Sequence, residues 1–193
     1  SRSNWPYCDS TYPDAFSGEK DSCGVGFIAS VEGKQNHWVL TQALRGLSCM
    51  EHRGGCGGDS DSGDGAGILC EIPWSYLRQV WDTAKNCEPQ LSGIGMMFMP
   101  KDLKNREIAK EICEQEAESL GLTSKGWRDV PVHEEVLGKL ARENEPFITQ
   151  WLVDVKDKEI NLEALLFRLR QKISNRANIE LKEDELGLYI CSL

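Results

Sequence analysis

No run of apolar residues in this 193-residue chain approaches the ~18 or more that a transmembrane helix needs. Basic residues are few beside acidic ones, 22 Lys and Arg against 31 Asp and Glu, for a formal net charge of −9. That balance excludes the basic stripe on which binding to nucleic acid or an anionic membrane rests. The first 22 residues have no apolar core and carry Pro6 and Pro13, so they do not form a secretory signal. Cysteine is plentiful, at eight, yet no Cys-x-x-Cys pair occurs, which argues against a zinc ribbon or a thioredoxin-like redox motif. Internal repeats and long low-complexity tracts are absent. No asparagine is followed by glycine.

What is present suits a globular domain. Hydrophobic residues make up 40% of the chain, enough for a sizeable core without covalent staples. The eight cysteines are widely spread and no secretory signal precedes them, so they read as reduced thiols in a cytosolic compartment.

Residues 1–22 form a polar leader rich in turn formers. From Cys23 the pattern changes: residues 23–31, CGVGFIASV, read as a buried strand, and Glu32-Gly33-Lys34 as a turn. Val39, Ala43, Leu44, Leu47 and Met50 then share one face of a helix. Residues 51–67 are crowded with glycine and predict an irregular loop, followed by a strand over 67–72 and a helix from Pro73-Trp74 to about Ala84. A strand over 93–100 leads to an amphipathic helix from Asp102 to Leu120, with Gly121 as its stop. A helix from Glu134 to Asn144, a strand over 147–155, a helix marked by Leu162, Leu165, Leu166, Leu169 and Ile173, and a strand over 186–193 complete the order. Strands alternate with helices, so the expected class is α/β or α+β.

Four features carry chemistry, each with a plainer alternative. Gly63-Asp64-Gly65-Ala66-Gly67 runs into a strand instead of opening a helix, so a tight turn fits better than a nucleotide cradle. Asp59, Asp61 and Asp64 suggest a calcium loop, but the third ligand position falls on Gly63 and the distal one on Cys70, leaving solvated or capping carboxylates. Cys49, His52, Cys56 and Cys70 offer zinc ligands at spacings that match no structural zinc motif. Cys23, at the head of a glycine-containing strand, is either a nucleophile or a buried strand cysteine.

Residues 21–73 taken together favour the nucleophile. Asp21-Ser22-Cys23-Gly24-Val25-Gly26-Phe27-Ile28-Ala29, His37, Met50-Glu51-His52-Arg53-Gly54-Gly55, Asp61-Ser62-Gly63-Asp64-Gly65-Ala66-Gly67-Ile68 and Ile72-Pro73 resemble, in order and interval, the start of the glutaminase domain of the glutamate synthase family. Arg128-Asp129-Val130-Pro131, Pro146-Phe147-Ile148-Thr149-Gln150 and Leu188-Tyr189-Ile190-Cys191-Ser192 continue the likeness to the end. The resemblance implies an N-terminal-nucleophile fold of the α+β class, a four-layer α/β/β/α sandwich present only in part. It implies a leader, 1–22, cut off between Ser22 and Cys23, and an N-terminal part of a class II glutamine amidotransferase domain over 23–193. Cys23 would be the catalytic nucleophile that hydrolyses L-glutamine to glutamate and ammonia, the ammonia passing to 2-oxoglutarate. Arg53 would hold the cysteine terminus or a carboxylate, and Gly54 and Gly55 would let the backbone approach the site closely.

The family's oxyanion donors come from an Asn-Gly pair, which this chain lacks, so the chain alone is expected to turn over no glutamine. The longer protein implied would bind FMN and an iron–sulfur cluster in later domains and take electrons from ferredoxin or a nicotinamide-dependent subunit, with the loop at Glu51–Cys56 leaning toward ferredoxin. No cysteine here has the cluster spacing. A cytoplasmic location, or the plastid stroma in a eukaryote, goes with that reading. Two other readings stand beside it: another class II amidotransferase, such as that of purine biosynthesis, and a non-catalytic interaction or regulatory piece.

Overall fold

A sheet of four antiparallel strands, Leu122–Asp129 (β2), Phe147–Val155 (β3), Ser92–Met99 (β1) and Tyr189–Ser192 (β4) in that order, organises the C-terminal part of the chain. The computed structural model describes residues 24–50, 61–63, 65–155, 159–181 and 187–193. Two compact units are formed, one from residues 1–57 and 63–68, the other from 58–62 and 69–193.

The second unit holds the sheet. In β1, Ser92–Met99, the alternate residues Gly93, Gly95, Met97 and Met99 are buried while Ile94, Met96 and Phe98 are half-buried. That period of two is what a strand with one fully covered face requires. β1 pairs along its whole length with β3, Phe147–Val155, from Ser92 opposite Asp154 to Met99 opposite Phe147. β2, Leu122–Asp129, flanks β3, and β4, Tyr189–Ser192, flanks β1.

Two long helices supply the main core. In α3, Leu103–Ser119, Asp102 caps the start by accepting from Asn105 N at 2.9 Å, and Gly121 ends it at φ +77°. Its buried stripe is Ala109, Ile112, Cys113 and Ala117. In α5, Leu162–Glu180, Asn161 is the cap, accepting from Ala164 N, and Leu165, Leu166, Leu169, Ile173 and Ala177 are buried. Both stripes recur at the three- and four-residue spacing of one helical face. They pack with Met97, Met99, Trp151, Val153 and Val155 in one cluster. On the opposite face, Leu77 of α2 (Trp74–Val80) and Trp81, Ala84 and Cys87 close over Leu152, with Ile94 alongside. The second unit is therefore of the α+β class, with helices on both faces of one antiparallel sheet.

Several elements depart from the sequence pattern. The helix expected over 74–84 stops at Val80, Trp81 turns extended (φ −141°, ψ 105°), and a separate 3-10 turn runs over Asp82–Asn86. The helix expected over 134–144 is a 3-10 turn, Glu134–Val136, and a short α4, Lys139–Glu143, divided at the extended Gly138. β2, which the sequence pattern does not mark, carries a bulge: Ser124 pairs with Val153 and Gly126 with Leu152, leaving Lys125 as the extra residue. No helix among the described residues is long and apolar enough to cross a membrane.

Candidate active site

Cys23, Arg53, Gly54 and Gly55 lie outside the described residues, as do Asp59, Asp64, His52 and Cys56 of the calcium and zinc readings. What is described is the chain on either side of them.

Directly after Cys23, residues 24–30 belong to no regular element, and Val25 and Phe27 are each 94% exposed. The strand expected over 23–31 is therefore not formed by its described residues. Apolar residues with a strand-like composition need a hydrogen-bonded neighbour to become a strand, and the sheet that is formed recruits others. The turn does form, with Gly33 at φ +64° and its N–H donating to Ser30 O at 3.1 Å. The helix that follows is α1, His37–Cys49, started by Asn36, whose Oδ1 accepts from Trp38 N at 2.8 Å. None of its residues is buried; Trp38 and Leu44 of its apolar stretch are open to solvent, and His37 and Cys49 are exposed too.

At the far end of the glycine-rich loop the chain is tightly held. Ser62 is buried, 7% exposed, and its Oγ accepts from Ala141 N at 3.0 Å. A Cβ built on Gly138 would lie 2.5 Å from Ser62 Oγ, 2.6 Å from Ser62 N and 2.7 Å from the Asp61 carbonyl carbon. The sequence pattern does not show this contact, because 79 residues separate Ser62 from Ala141 and no local spacing links them. Beyond the loop, the strand expected over 67–72 is again no part of a ladder, and Leu69 is 88% exposed. Pro73 opens α2 as anticipated, its carbonyl accepting from Tyr76 N and Leu77 N at 3.0 Å.

The described thiols divide by burial. Cys87 and Cys113 are buried, and Cys49, Cys70 and Cys191 are exposed. Burial pushes both buried thiols up, and the carboxylates of Asp154 beside Cys87 and Glu114 beside Cys113 add to it. A thiol held protonated is a poor nucleophile, so these two are core residues. Among the described residues, no group of three or more His, Cys, Asp or Glu side chains is placed to hold a metal ion.

The sequence pattern of one family, described as "Glutamine amidotransferases class-II", matches residues 23–193. The chain belongs to this family. Its match begins at Cys23 and runs through the whole sheet unit. Curated relatives of this class-II chain include "Ferredoxin-dependent glutamate synthase 2" of Synechocystis sp., 42% identical over 178 residues. "Ferredoxin-dependent glutamate synthase 1, chloroplastic/mitochondrial" of Arabidopsis thaliana is 41% identical over 180 residues, and "Ferredoxin-dependent glutamate synthase" of Pyropia yezoensis is 43% identical over 180. These alignments cover 90–91% of the class-II chain but only 11% of each relative.

Proposed function

We propose that this chain is the glutaminase portion of a glutamate synthase, with Cys23 as nucleophile. The class-II match starting at Cys23, with relatives near 40% identity, carries this reading. Once the leader is removed, Cys23 holds a thiol and a free α-amine on one residue. Their ordinary pKa values, about 8.5 and about 7.7–8.0, are close enough for the amine to accept the thiol proton near neutrality. The sulfur then attacks the side-chain amide carbon of L-glutamine. The C–N bond breaks, the proton returns to the leaving nitrogen, and ammonia departs from a γ-glutamyl thioester. Water cleaves the C–S bond, giving glutamate and the free thiol.

Arg53 holds the cysteine terminus or a substrate carboxylate through directed N–H bonds, and Gly54 and Gly55 keep the neighbouring backbone clear of side chains. In the whole protein the ammonia passes to 2-oxoglutarate, with ferredoxin as electron donor, in the cytoplasm or plastid stroma. FMN and an iron–sulfur cluster belong to other parts of that protein. The described thiols here do not fit a cluster: two are sealed in the core, three are exposed, and none falls in a potential metal-binding group.

The test is Cys23→Ala in the longer polypeptide, together with N-terminal sequencing of the mature parent. Glutamine-dependent glutamate formation should vanish while ammonia-dependent formation persists, and the mature parent should begin at Cys23. An active parent that retains Ser1 would refute the free-amine chemistry. Equal loss of both activities would make Cys23 structural.

A further inference from the structure

We draw no further inference here: the strongest candidate, the patch of Met96, Phe98, Ile148 and Tyr189 on the sheet face that also carries Ile94 and Leu152, carries nothing, because nothing in the structure shows what covers it.

Discussion

The indole rings of Trp127 and Trp151 stack across the β2–β3 pair, with centroids 5.1 Å apart and planes within 10°. They meet because the bulge at Lys125 returns β2 to register with Trp127 opposite Trp151. Both polar edges are satisfied: Trp151 Nε1 donates to Ser124 Oγ at 2.9 Å, and Trp127 Nε1 to Glu114 Oε1 at 2.8 Å. The stack and the Trp151 hydrogen bond thus tie β2 to β3, and the Trp127 hydrogen bond ties β2 to α3.

Trp151 is fully buried, at 0% exposure, while Trp127 is half-buried. Trp151→Ala should cost about 3–5 kcal/mol, as for other large aromatic truncations in cores. Trp127→Ala should cost less, about 1–3 kcal/mol, because solvent already reaches part of its surface. Urea unfolding followed by far-ultraviolet circular dichroism measures both, and equal costs would contradict the burial difference.

Between α3 and α5, Glu116 accepts from Lys172 Nζ at 2.5 Å and from Arg176 Nη1 at 3.2 Å. The Lys172 hydrogen bond is the largest influence holding its carboxyl below the usual range; burial opposes it and Arg176 assists. A carboxyl with a lowered folded pKa adds stability above its unfolded value of about 4.3 and loses it as pH falls through the folded one. Glu116→Gln should therefore cost about 1–2 kcal/mol at neutral pH. The gap between parent and variant should close as pH falls below about 5. A gap independent of pH, in parallel denaturation series, would contradict this pairing.

The split among the thiols predicts selective modification. In native protein at pH 8, iodoacetamide should label Cys49, Cys70 and Cys191 within minutes, with Cys87 and Cys113 protected until the chain is unfolded. Peptide mass mapping before and after denaturation checks this. Native labelling of Cys113 would show that the α3 stripe opens more readily than its complete burial suggests.

Much of the fold was legible along the chain wherever one period ran unbroken. The apolar spacing from Ala109 to Leu120 and from Leu162 to Ile173 marked α3 and α5, and short apolar runs over 93–100 and 147–155 marked β1 and β3. Legibility failed where a single residue breaks the pattern, as Lys125 does in β2 and Gly138 does ahead of α4. It failed too over 24–30 and 67–72, whose apolar residues read as strands yet join no ladder. The order and spacing of the blocks from Cys23 to Pro73 placed the chain in its family without any geometry, while Cys23 and Arg53 themselves fall outside the described residues.

The sequence by itself determined the family, the nucleophile candidate and the long helices, because caps, helical stripes and motif spacing are local and survive without a partner. Only the tertiary structure decided which strands pair, that β2 carries a bulge, and that Ser62 meets Gly138 at the end of the glycine-rich loop. Each of those depends on groups far apart in the chain meeting in space: a ladder needs its neighbour, and the space denied to a Cβ exists only once another backbone has filled it.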